Sequence, residues 1–229
     1  TLNIREGRLP RFSFLQPTSE IYSVRTPVEP NMHLFLNTTS PYARIARIAL
    51  AEKEIGDLSA DIVDPWADAP QLLEVNTAAR VPALVTSEGR SLTESLLIVM
   101  WLEHKRPEPS LLGHDVTAVL SRAGVAMGVI DAAVHTLIGR KITDAGFDDA
   151  PVGLRRRRSI VDGLQRLEAD PPDYTKGVPD LSVITSVTAL DYVRFRFATA
   201  TWVPKLPRLD ALAERVRQRQ SFEMSYPRA

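Results

Sequence analysis

A short apolar run, Met32-His33-Leu34-Phe35-Leu36, stops abruptly at Asn37-Thr38-Thr39-Ser40-Pro41, and that break constrains the fold more than any other part of the chain. Apolar runs of this length bounded by turn residues predict a buried strand. Ser40 then offers a hydroxyl to the unpaired N–H groups of a helix start, and Pro41 suits the first helical position because it has no N–H to leave unpaired. Ile45, Ile48 and Ala49 follow at helical spacing, with Gly56 as the predicted stop. Leu58 to Val63 predicts a second strand, with Leu58, Ala60 and Ile62 on its inward face and Asp61 on the other. Strand, helix and strand in so little chain imply a parallel pair joined by a right-handed crossover.

The pattern continues in kind. Ala69 to Val75 predicts a short helix ending at Asn76, and Pro82-Ala83-Leu84-Val85 a third strand. Glu88-Gly89-Arg90 reads as a hairpin turn into a very short fourth strand at Ser91-Leu92. Thr93 is placed to cap a helix whose Leu96, Leu97, Val99, Met100 and Leu102 are dense enough to be largely buried. The order β-α-β-α-β-β-α is that of a thioredoxin-like domain, expected over residues 32–106. Lys105-Arg106-Pro107-Glu108-Pro109 leads into a stiff linker over 107–114, beyond which strand signals nearly vanish. Residues 115–229 read as an all-helical domain, with helices from 115 to about 144, Pro151 to Ala169, Asp180 to about Phe197, and Pro207 to Arg219. The fold class is therefore α/β plus all-α. Val183 stands where a capping box would place an acidic residue, so Asp180 is expected to cap its helix alone.

Composition excludes several functions. The 229 residues are 44% hydrophobic, enough for a substantial core. Lys plus Arg equals Asp plus Glu at 28 each, which argues against nucleic-acid or anionic-membrane partners and for small molecules or copies of the same chain. Cysteine is absent, which removes disulfides, thiolate metal sites and protein-borne thiol chemistry; sulfur chemistry here needs a sulfur that arrives with a ligand. His33, His104, His114 and His135 are scattered, and the Asp131–His135 pair, one helical turn apart, lacks a third partner, so no metal site is expected. Arg155 to Arg158 spread around a helix and read as a solvated face. No run reaches the roughly 18 uninterrupted apolar residues of a membrane span. Residues 1–31 carry Arg5, Arg8, Arg11 and Arg25 without an apolar h-region and read as an appended leader, with cytoplasmic residence as the expectation.

Ser40-Pro41-Tyr42-Ala43-Arg44, Val81-Pro82-Ala83-Leu84 and Thr93-Glu94-Ser95, in this order and followed by an all-helical half, resemble the cytosolic glutathione S-transferase family over roughly residues 32–226. Asp64-Pro65-Trp66-Ala67-Asp68, Asn76 and Asp191-Tyr192-Val193-Arg194-Phe195 are similar to its bacterial branch.

The resemblance implies a site for glutathione as co-substrate, with no metal. Only a thiolate attacks, and a free thiol titrates near pKa ~8.5, so the site must favour the anion. Ser40, at the positive end of a helix, is the residue chosen to donate a hydrogen bond to sulfur, with Thr39 and Thr38 on the same turn left open as alternatives. Serine cannot form the mixed disulfide available to relatives with cysteine there. Val81-Pro82 matches the family's cis-proline step, which presents the Val81 backbone to the cysteinyl unit. Ser95 would hold the γ-glutamyl carboxylate, Glu94 its ammonium and Arg80 the glycyl carboxylate. Tyr42 and the helix spanning Val125 to Ile138, including Met127, Ile130 and Val134, would line the place of a small hydrophobic electrophile. A glutathione transferase, acting as a homodimer in detoxification, is the leading expectation. A glutathione-binding protein with little turnover, or a glutathione-dependent isomerase or ether-cleaving enzyme, are its alternatives.

Overall fold

The computed structural model describes residues 32–56 and 58–228, so the reading of residues 1–31 as a leader falls outside it. Strand β1 (Met32–Leu36) lies between two neighbours. It pairs parallel with β2 (Leu58–Ile62), Leu34 opposite Ala60, and antiparallel with β3 (Ala83–Val85), Leu34 opposite Leu84. A hairpin adds β4 (Ser91–Thr93), giving the order β2-β1-β3-β4. Helix α1 (Pro41–Glu52) starts where the Ser-Pro pair predicts, α2 (Pro70–Val75) precedes β3, and α3 (Ser95–Lys105) packs against α1. The thioredoxin-like order expected from the sequence is present.

Local predictions fail in several places, and α3 is not largely buried: Val99 and Leu102 are in the core, but Leu97 (54% exposed) and Met100 (64% exposed) face outward. Helix α1 ends at Glu52, not Gly56: Glu54 takes a left-handed turn at φ 53°, and Lys53 swings inward until it is fully buried. Its ammonium ion-pairs with Glu103 and donates to the carbonyls of Arg106 (2.7 Å) and Pro107 (3.3 Å), so a tertiary tether overrides the glycine stop. The inward face predicted for β2 is only partly covered: Leu58 packs against the core, but Ala60 and Ile62, the latter 69% exposed, do not. Thr93 does not cap α3. Its backbone belongs to the ladder opposite Ala83, which passes the capping position to Glu94, at φ 69° and with no side-chain cap bond.

The second half is helical among the described residues. Helix α4 (Val116–Ile142) packs against α5 (Pro151–Ala169) and α6 (Leu181–Arg196), and α6 is buried from Leu181 to Val193. Among the described residues, α4 is the one helix long and apolar enough to cross a membrane, but its Val119, Ala123, Ala126, Val129, Ile130 and Ala133 are buried inside the protein. Asp180 caps α6 by accepting the Val183 N–H (3.0 Å), as expected of a lone cap. Helix α7 (Pro207–Arg217) is followed by a separate α8 (Gln220–Ser225) that the sequence did not predict; its polar residues flank one fully buried anchor, Phe222.

Gly153, in the first turn of α5, marks the tightest backbone approach. A Cβ there would fall 1.9 Å from the Phe147 carbonyl oxygen. Gly153→Ala is therefore expected to destabilise the fold by about 1–3 kcal/mol through overpacking, read as a lower urea midpoint at unchanged slope. An unaltered midpoint would mean that the Phe147 turn gives way freely.

Candidate functional site

The turn between β1 and α1 is organised by Asn37. Its amide donates to the Val63 carbonyl (3.1 Å), and its oxygen accepts both the Thr39 N–H (3.0 Å) and the Thr39 hydroxyl (2.8 Å). Ser40 follows in extended conformation, with its Oγ accepting the Ala43 N–H at 3.2 Å. Accepting that bond leaves the hydroxyl proton of Ser40 available, whereas that of Thr39 is committed to Asn37. Two residues on, the Tyr42 hydroxyl donates to Asp131 Oδ1 at 2.5 Å, across 89 positions of sequence and from α1 to α4. Burial first, then the bond to the Asp131 carboxylate, raises the Tyr42 phenol far above its ordinary range. Tyr42 therefore stays protonated and points its proton away from the turn. Of the three cleft-lining hydroxyls on this turn and the first turn of α1, Ser40 alone keeps a proton for an incoming group.

The Val81-Pro82 peptide is cis, as the resemblance implies. Asn76 buttresses the approach, its amide donating to the Arg80 carbonyl at 2.7 Å. Among the described residues, neither the Val81 N–H nor its C=O has a hydrogen-bond partner, which leaves one rung of a strand ladder open. A backbone N–H and C=O are obligatory hydrogen-bonding groups, so an open pair beside a cleft is a place for an extended peptide. Arg80 and Glu94 are paired with each other at 2.7 Å, both side chains more than half exposed at the edge of the cleft.

These residues surround two adjoining cavities between the halves of the chain. A cleft of about 700 Å³ is lined by Thr39, Ser40, Tyr42, Arg80 and Val81 on one side and by Val134, Leu137 and Ile138 of α4 on the other. A smaller cavity of about 250 Å³ has Tyr42, Arg80, Val81, Pro82 and Glu94 in its walls, closed by Met127, Asp131 and His135. Tyr42 belongs to both. Three expected residues line neither: Ser95, 2% exposed at the first position of α3, Thr38, and Ile130. Ile130 is fully buried core, while Met127 and Val134 are cavity wall. Asp131 and His135 do not pair through side chains, because the His135 ring meets the Asp131 carbonyl (2.6 Å) while the carboxylate serves Tyr42. Sequence reasoning missed the roles of Asn37 and of Asp131 as a tyrosine acceptor. It also missed Lys141 and Arg196, which reach the cleft from the last turns of α4 and α6.

A hydroxyl with a free proton at a helix mouth, an open rung just before a cis-proline and an interdomain cleft are features of a glutathione-handling scaffold, and comparison with known proteins agrees. A family model described as the glutathione S-transferase N-terminal domain matches residues 39–105. The structure of a glutathione S-transferase from Methylobacterium radiotolerans in complex with glutathione sulfonate is 34% identical. It covers 86% of this chain and 95% of its own, at a TM-score of 0.78. This chain belongs to the glutathione S-transferase family. By sequence, it is similar to the uncharacterized GST-like protein YibF of Escherichia coli, 28% identical over 86% of this chain and 98% of that one. It is also similar to the maleylacetoacetate isomerase of Pseudomonas aeruginosa, 26% identical over 86% of this chain and 95% of that one.

Proposed function

We propose that this protein is a glutathione transferase that conjugates the glutathione thiolate to a small electrophilic compound. The peptide lies along the Val81 rung, its γ-glutamyl end towards Glu94 and the start of α3, its sulfur at the mouth of α1. The Ser40 hydroxyl donates to the sulfur, and the helix end adds positive potential, so the thiol ionises more readily than in water. Sulfur then forms a bond to an acceptor carbon held against Tyr42 and the apolar face of α4. Either the acceptor's leaving group departs with its bonding pair, or its double bond takes up a proton. The observation that carries this reading is the hydrogen-bond inventory of the turn, with Thr39 and Tyr42 both engaged and Ser40 not.

Isothermal calorimetry with glutathione is expected to give a saturable heat, and the bound thiol should titrate below the free value of about 8.5, followed by thiolate absorbance. No binding would end the reading; binding with a solution-like thiol would leave a binding protein without activation. The likeness to a maleylacetoacetate isomerase supports a second reading, in which the same thiolate adds to a substrate and is then expelled. Product analysis separates the two, since an isomerase returns a product without glutathione attached.

A further inference from the structure

The wall of the 700 Å³ cleft that faces Ser40 is not simply apolar. It carries two cations, Lys141 and Arg196, and among the described residues neither has a carboxylate partner. Their neighbours contrast with them: Arg44, Arg140, Arg194 and Arg217 of the same helices and of α1 and α7 are all ion-paired. Lys141 is held instead over the ring of Trp66, its Nζ 3.9 Å from the centroid. Arg196 is stacked on Phe195, its Cζ 4.6 Å from that centroid, and lies 5.7 Å from the ring of Tyr192. The Arg196 Nε is buried with no hydrogen-bond partner. Aromatic contacts fix where these charges stand without neutralising them. A buried donor left without a partner is costly until an acceptor meets it, and a guanidinium fork matches a carboxylate.

We infer that Lys141 and Arg196 form a carboxylate subsite for the acceptor, so the preferred electrophile is an amphipathic acid, its apolar part on Val134, Leu137 and Ile138 and its carboxylate between the two cations. This rests on the glutathione reading above and narrows its substrate class. The carboxylate belongs to the acceptor and not to glutathione, because both cations rise from the helical half. The open backbone rung and Ser40, which the peptide needs, belong to the sheet half.

Binding of two conjugates, S-benzylglutathione and S-(4-carboxybenzyl)glutathione, tests the idea without requiring turnover. Calorimetry on the full chain should show the carboxylated conjugate binding about tenfold more tightly, the scale of one charge-assisted hydrogen bond, with the preference shrinking as salt is raised. In Arg196→Leu and in the exposed-site variant Lys141→Gln the preference should fall towards unity, and Arg196→Lys should restore part of it. Equal affinity of the wild-type protein for the two conjugates overturns the proposal while leaving the glutathione reading intact. So does a loss of affinity in the variants that is the same for both conjugates and for free glutathione, since the cations would then be serving the peptide's own carboxylate. Failure of all three ligands to bind removes both readings together.

Discussion

Asp191→Ala should cost the fold about 3–5 kcal/mol, the scale for removing one partner of a buried ion pair. Asp191 is fully buried in α6, and its two carboxylate oxygens meet different arginines: Arg44 of α1, at 2.8 Å and itself 3% exposed, and Arg217 of α7. Burial pulls the Arg44 guanidinium down from its usual range, and Asp191 opposes that pull, so the carboxylate is what keeps a cation tolerable there. Arg44 also lies over the rings of Phe222 and Tyr226 (5.9 and 5.4 Å), and its Nη2 is buried without a partner. With Asp191 gone, the buried Arg44 guanidinium would lose its counter-ion while the Arg217 guanidinium stays nearby. Urea unfolding followed by circular dichroism reads the loss. Asp191→Asn, which keeps the volume and some hydrogen bonds, should lose less, and equal stability of all three proteins would show that the pair contributes nothing net. Arg44 lies on the helix that Ser40 opens, so the variant should also loosen the thiol site before global unfolding.

Ser40→Ala should lower kcat/KM for conjugation by about 10- to 100-fold, matching the roughly 1.5–3 kcal/mol of a hydrogen bond to a charged group. The same change should raise the pKa of the bound thiol by about 1–2 units. Attack needs the anion, so activity rises with pH through the thiol pKa, and the rising limb of the variant's profile should move to higher pH. Thr39→Ala is the comparison that gives the test its edge, because the Thr39 proton already goes to Asn37 and that variant should keep the wild-type thiol pKa. A reversed outcome, with Thr39→Ala shifting the profile and Ser40→Ala not, would move the donor by one residue. Ser40→Ala also removes the cap on α1, about 1 kcal/mol of stability, so the pH profile carries the argument better than the rate alone.

What the sequence disclosed and what it hid follow from the range of the interactions involved. Ser40-Pro41 and the Val81-Pro82 step were legible because capping and proline geometry are local, and the strand order followed from short apolar runs with turn residues between them. Asn37 was readable in principle as an Asx turn but stood in the shadow of the hydroxyls beside it. Tyr42–Asp131 and Arg44–Asp191, by contrast, join positions 89 and 147 residues apart. Periodicity says which face of a helix turns inward, not which residue it meets there. That is why Arg44 gave no sign of burial, why Ile62 was assigned to a covered face, and why α8, held by Phe222 among polar neighbours, was not seen. Lys141 and Arg196 were not singled out, because a sequence gives no sign of whether a carboxylate faces a given cation.

The bond from Tyr42 to Asp131 has a wider consequence. One end sits two residues from Ser40, the other on the helix that forms the far side of the cleft, so a single short contact gauges the width of that space. On the proposed reading, acceptor size would follow from how the two halves of the chain are seated on each other, and selection for a new acceptor could act by reseating them while Ser40 stays where it is.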